Sequence, residues 1–116
     1  MLHRNQAMLL CPVGEDDYGT VWRRYALCGI DLEAKESADG RSAAMYIFDC
    51  AASATCRGEV CGIPDIMPGC LVLPSAESAA DVSDGCCIPD GAMKVISVER
   101  RTRGSWLLRH VKLILK

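Results

Sequence analysis

Aromatic side chains are scarce in this sequence, with one Phe, two Trp and three Tyr among 116 residues. A core built without them must be aliphatic and small-residue, drawn from Ala, Val, Ile and Leu. Histidine is scarcer still, with only His3 and His110 near the two ends. That gives little support to an imidazole-rich metal cage or a thiol–imidazole catalytic pair. No apolar run approaches the ~20 residues of a membrane-crossing helix. The first residues have neither the apolar length nor the small-residue cleavage site of an export signal, so a cytosolic chain is expected. Also missing are a glycine-rich phosphate loop, a Gly-x-Ser-x-Gly elbow and a His-Glu-x-x-His helix. Asp16-Asp17 and Asp81/Asp84 lack the glycine-framed spacing of a calcium loop and read as solvated acids. No enzymatic activity and no cofactor are expected.

Cysteine, by contrast, is abundant: Cys11, Cys28, Cys50, Cys56, Cys61, Cys70, Cys86 and Cys87. A disulfide framework normally accompanies secretion, and zinc knuckles normally come as paired C-x2-C. Here the nearest approaches are Cys56-x4-Cys61 and the adjacent Cys86-Cys87. Cys28, Cys50 and Cys70 lie in or beside apolar runs, where a thiol packs as a small hydrophobe. Reduced, metal-free thiols are therefore expected ahead of a disulfide or a metal site.

The chain otherwise reads as short strands divided by turn signals. One domain spanning 1–116 is expected, all-β, as a small antiparallel barrel or sandwich with a long irregular loop. Strands are expected near 6–11, 20–33, 42–50, 70–73, 93–100 and 105–115. Pro12 should end the first, leading into an acidic loop at 14–19. Gly29 should mark a bend or bulge in the second. Asp39-Gly40 should turn a hairpin joining 30–37 to 42–50. Residues 51–68, carrying Gly58, Gly62, Pro64 and Pro68, read as a long loop, and 75–82 as at most a short helix capped by Ser75. In the last strand Leu107, Val111, Leu113 and Leu115 share one face.

Charge is divided unevenly along the chain. Residues 94–116 hold seven Lys/Arg and one acid, Glu99, whereas 1–93 hold six basic and fourteen acidic residues. A generic nucleic-acid binder is basic throughout. A bipolar subunit instead suits head-to-tail or stacked association, a positive edge meeting a negative one. The candidate docking residues are Arg100, Arg101, Arg103 and Arg109. The candidate acidic surface is Glu15, Asp16, Asp17, Glu77, Asp81 and Asp84.

Several short stretches, spread over nearly the whole chain, carry a family resemblance. They are Met1-Leu2-His3-Arg4-Asn5, Val21-Trp22-Arg23-Arg24, Gly29-Ile30, Met45-Tyr46-Ile47-Phe48 and Ile66-x-x-Gly69-Cys70-Leu71-Val72. The most specific is Ile96-Ser97-Val98-x-x-Arg101-x-x-Gly104-Ser105-x-x-x-Arg109-His110. Together they resemble the minor capsid or head–tail connector proteins of tailed bacteriophages and prophages, the stopper-like joining proteins above all. Cys70 departs from the pattern, since an acid is usual there, as do the cysteine-rich 51–65 and the apolar end at 113–116. The resemblance implies a non-enzymatic β-barrel subunit that joins a homo-oligomeric ring in the virion, after assembly in the host cytoplasm, with a monomer in solution left open. It implies other connector or tail proteins as partners, with DNA passing an acidic lumen without sequence readout. Two other readings stay open: a β-barrel interaction or adaptor module unrelated to phage, and a cysteine-rich metal or thiol protein.

Overall fold

The computed structural model describes residues 5–37, 40–74, 91–101, 103–105 and 109–116. Among them are eight strands and no helix: β1 (Asn5–Asp16), β2 (Gly19–Ser37), β3 (Gly40–Phe48), β4 (Ser53–Cys56), β5 (Glu59–Cys61), β6 (Leu71–Leu73), β7 (Met93–Arg101) and β8 (His110–Leu115). All pair antiparallel in the order β1-β6-β7-β8-β3-β2-β4-β5, and a further β1–β2 pairing partly closes six of them into a ring. The fold is therefore the expected all-β, barrel-like one. The helical turn expected at 75–82 lies outside the described residues.

Closure depends on β2. Its first part pairs with β1, from Gly19 to Ile30, and its last part pairs with β3, from Asp31 to Ser37. Between them Asn5 faces Ile30 while Gln6 faces Cys28, so Gly29 is an extra, bulged residue. It has φ +70°, and a Cβ there would strike the Ala51 carbonyl oxygen. The expected bend is thus a bulge that only glycine can fill. Along the same edge of β2, the chain leaves β3, turns through 49–51 and rejoins as β4 beside Ala26–Cys28.

Strand alternation sends Ala7 and Leu9 of β1, Leu27 of β2, Met45 and Ile47 of β3, Val95 of β7, and Leu113 and Leu115 of β8 into one aliphatic core. Val111 packs against it, as the period-two reading of the last strand required; Leu107 lies outside the described residues. Met8 and Leu10 point the other way and are also buried, among Trp22, Ala26, Leu71 and Leu73. A second bulge, at Ile96, lies between the pairs Val95↔Leu115 and Ser97↔Ile114. It shifts the alternation of β7 by one residue. Met93 and Val95 point inward before it, and Val98 packs against the core after it.

Several boundaries differ from expectation, among them the ends of β2 at Ser37 and of β3 at Phe48. Pro12 does not end β1. The strand continues to Asp16 in a stretch where β6, which reaches only Met8–Leu10, no longer flanks it, and a one-sided strand tolerates proline. Residues 53–61 are a hairpin, not loop: Arg57 (φ +53°) and Gly58 (φ +80°) form its two-residue turn, both left-handed as strand twist favours. A non-glycine residue at positive φ leaves no compositional trace, so the hairpin was invisible in the sequence. The return strand starts at His110, not at 105, and β7 runs on through Arg100 to Arg101.

Gly29→Ala should cost at least about 2 kcal/mol, combining left-handed strain with a backbone clash. Gly104 is the control: it is also left-handed (φ +94°), but a methyl group there would meet nothing within 4 Å. Gly104→Ala should cost only about 1 kcal/mol. Urea unfolding of both measures the difference, and equal costs would show that the Ala51 contact is not the constraint.

Candidate functional site

Two strands carry the opposite charges to one end of the sheet. β1 and β7 each run antiparallel to β6, so they run the same way. At the end of β1, Asp16 pairs with Gly19 across a two-residue turn, Asp17-Tyr18, and the Tyr18 N–H donates to Asp16 Oδ1 at 2.8 Å. Beyond Leu10 the β1–β2 pair has no third strand on the β6 side, and it continues as an arm tipped by exposed Glu15, Asp16 and Asp17. Tyr18 at this tip is 90% exposed. At the end of β7 lie Arg101 and, in the connection to β8, exposed Arg103 and Arg109. Glu77, Asp81 and Asp84 lie outside the described residues.

The four arginines are not equivalent. After the Ile96 bulge, Arg100 shares the alternation of Val98, and its Nη2 donates to the Ile66 carbonyl at 3.0 Å and lies 3.2 Å from Asp65 Oδ1. Ile66 is fully buried, so Arg100 ties β7 to the segment that closes this end of the core. Arg101 falls on the outer face, with its Nη2 3.8 Å from Glu99 Oε2. The Arg109 carbonyl accepts from the Asp49 N–H at 3.1 Å, prolonging the β3–β8 ladder, while its side chain is exposed. Arg101, Arg103 and Arg109 are thus displayed at the surface, whereas Arg100 is engaged within the subunit.

The adjoining outer face is a cross-strand ladder. His110 stacks on Phe48 with ring centroids 4.8 Å apart, and Lys112 Nζ sits 5.7 Å from the Tyr46 ring. Such contacts stabilise by about 0.5–1 kcal/mol each and give His110 a packing role.

A thiol pair went unseen in the sequence. The β1–β6 ladder places Leu10 opposite Leu71, and one step further Cys11 meets Cys70, their sulfurs sharing a hydrogen bond at 3.8 Å. Fifty-nine positions separate the two, and only the register of β1 against β6 unites them. The hydrogen bond with Cys11 lowers the Cys70 thiol to about 6, with burial opposing and a backbone contact from Met67 helping. The same bond, then burial, pushes the Cys11 thiol up. Beside the pair, the β4–β5 hairpin and β2 enclose an open hollow of about 350 Å³ lined by Arg23, Tyr25, Cys56, Arg57, Glu59, Val60 and Cys61. Burial first, then neighbouring Cys56, pushes the Cys61 thiol up. Among the described residues no group of three or more His, Cys, Asp or Glu is arranged to hold a metal ion. Cys86 and Cys87 lie outside them.

Comparison with protein-family models, curated proteins and solved structures returns no match for this chain.

Arg100→Ser should destabilise by about 1 kcal/mol, the worth of one hydrogen bond and a partly exposed ion pair. Arg103→Ser should stay within about 0.5 kcal/mol of the parent in the same chemical denaturation series.

The thiol pair should titrate in two separated steps. Thiolate absorbance should rise with a midpoint at about 6 and lose that step in Cys70→Ser. A depressed folded-state pKa contributes stability that is complete above the unfolded value of 9.0 and lost as pH falls through about 6. The raised Cys11 acts oppositely, its contribution being lost as pH climbs above 9.0. Stability should therefore rise from about 6 toward 9 and decline beyond it, a trend that Cys70→Ser should flatten.

Proposed function

We propose that this chain is a structural subunit that joins a ring through protein–protein contacts, in the manner of the phage head–tail connectors that its sequence resembles. One observation carries the reading: an acidic two-stranded arm and a basic strand end leave the same end of a barrel-like body. A two-stranded ribbon is at best marginally stable in water. An arm of that kind, tipped with three exposed acids, gains its order by lying on a partner. Arg101, Arg103 and Arg109 offer the complementary charge on the next copy.

Because both charges leave one end, they fit neighbours side by side around a ring better than copies stacked head to tail. Each subunit would extend its arm to the basic end of the next, a heterologous contact that closes when the rotation permits. The barrel supplies rigidity and the two projections supply recognition, a division of labour common to assembly proteins. No catalytic step and no cofactor is part of this reading. The phage setting rests on the resemblance, and the adjoining genes test it: portal, terminase and major capsid genes are expected beside this one.

Glu15, Asp16 and Asp17 changed together to Lys should weaken self-association at least about tenfold, as should Arg101, Arg103 and Arg109 changed together to Glu. Mixing the two variants should restore association, because each then presents the charge the other lacks. Sedimentation at low and high salt measures this, and salt should weaken the parent assembly as well. A parent that stops at dimers, or charge variants that assemble as the parent does, would remove the ring reading.

A further inference from the structure

We infer that Cys11 and Cys70 form a dithiol modification site, oxidised by a low-molecular-weight disulfide to an internal disulfide that ties the base of the acidic arm to the start of β6. The site is independent of the assembly role. It rests on placement: the two residues stand opposite one another one step beyond the Leu10↔Leu71 pair, with sulfurs 3.8 Å apart. Oxidation has then to shorten that separation to the ~2.05 Å of an S–S bond. Cys11 is half-buried and Cys70 is buried, so the two have different parts. Cys11 is the sulfur that a small oxidant reaches. Cys70, shielded from solvent, is the sulfur that resolves the adduct.

The steps balance. With the proton on Cys70 and Cys70 Sγ donating to Cys11 Sγ, the Cys11 thiolate attacks one sulfur of RS–SR, forming Cys11–S–S–R and expelling RS⁻, which takes the Cys70 proton and leaves as RSH. The Cys70 thiolate then attacks the Cys11 sulfur, forming Cys11–S–S–Cys70 and expelling the second RS⁻, which takes its proton from water. Two thiols lose two electrons and RS–SR gains them. The placement of Cys70 against Cys11 suits it to the second step, where its thiolate must reach the Cys11 sulfur. A reducing cytosol keeps the pair as thiols. Transfer of the chain to an oxidising medium closes it.

The consequence falls on the arm. Cys11 pairs with Arg23 where β1 runs past the end of β6, so the bond fixes the point from which Glu15, Asp16 and Asp17 project. It also holds Cys70, whose carbonyl accepts from the Val95 N–H at 2.8 Å, and through it β7. The crosslink joins three strands of the ring.

Full-length protein equilibrated with glutathione disulfide, quenched by alkylation and peptide-mapped by mass spectrometry tests the site. The expected product has lost two hydrogens, retains no glutathione, and yields a Cys11–Cys70 crosslinked peptide. A persistent glutathione adduct on Cys11 with Cys70 alkylated, or preferential pairing of either residue with another cysteine, would overturn the inference. Cys70→Ser should keep one glutathione on Cys11. Cys11→Ser should leave Cys70 at least about tenfold slower to react, as its burial dictates, and equal rates would refute the assigned order of attack. If either variant fails to fold, the wild-type map still decides. Oxidised wild type should melt about 5–15 °C above the reduced form, as expected for a bond closing a long loop. An unchanged melting temperature would show that the bond does not constrain the arm.

Discussion

At Gly29 the longest strand of the molecule passes from one neighbour to another, and the ring closes only because it can. β2 pairs β1 up to Ile30 and β3 from Asp31 onward. A straight strand would carry β1 and β3 apart as the two ends of an open sheet. The bulge turns β2 enough for β1 to reach β6, and β6 to reach β7. The Ala51 carbonyl fills the space that a side chain at 29 would need, which brings the 49–52 turn tight against the bend. The β4–β5 hairpin, the wall of the small hollow and the aliphatic interior all take their places from that one backbone position.

A second bulge decides what the basic end can do. Were Ile96 paired regularly and not bulged, the alternation that buries Met93 and Val95 would turn Arg101 toward the interior and Arg100 to the surface. With it, Arg100 reaches the Ile66 carbonyl and Asp65 across the end of the core, and Arg101 stands beside Glu99 outside. An arginine cluster that is contiguous in sequence is thereby divided between cohesion and display. Bulges of this kind re-aim side chains at the rims of barrels, and here the re-aimed side chain is a cation held by a carbonyl. The acidic arm follows the same logic in reverse: Pro12 survives in β1 because the strand has already left β6 behind, and that freedom lets the ribbon project.

The arm and the thiol pair meet at one place. Cys11 is the last inward residue of β1 packed against the core before the exposed run from Pro12 to Gly19. Whatever holds Cys11 therefore sets how the charged tip is presented. Reduced, the contact is a hydrogen bond between sulfurs on neighbouring strands, and its distance comes from the pairing of β1 with β6. The proposed assembly surface and the proposed covalent site thus depend on the same three-residue ladder.

Local chemistry was enough to place the elements whose signals lie close together in the chain. Alternation located the interiors of β1, β2, β3, β7 and β8, glycine chemistry marked the bulge at Gly29, and charge counting separated an acidic body from a basic end, because each depends on neighbours a few residues apart. What the sequence left open depends on contacts between distant segments. The length of β1 beyond Pro12 depends on where β6 stops, the Arg57-Gly58 turn on a positive φ in a residue type that seldom adopts it, and the inward turn of Arg100 on a one-residue slip against β8. Cys70 read as a small hydrophobe unrelated to Cys11, since the ladder that joins them pairs only three residues of each strand. Local pattern could determine which residues form strands and which face of each is apolar; register between strands, set by closure of the ring, decided which charges are displayed and which sulfurs touch.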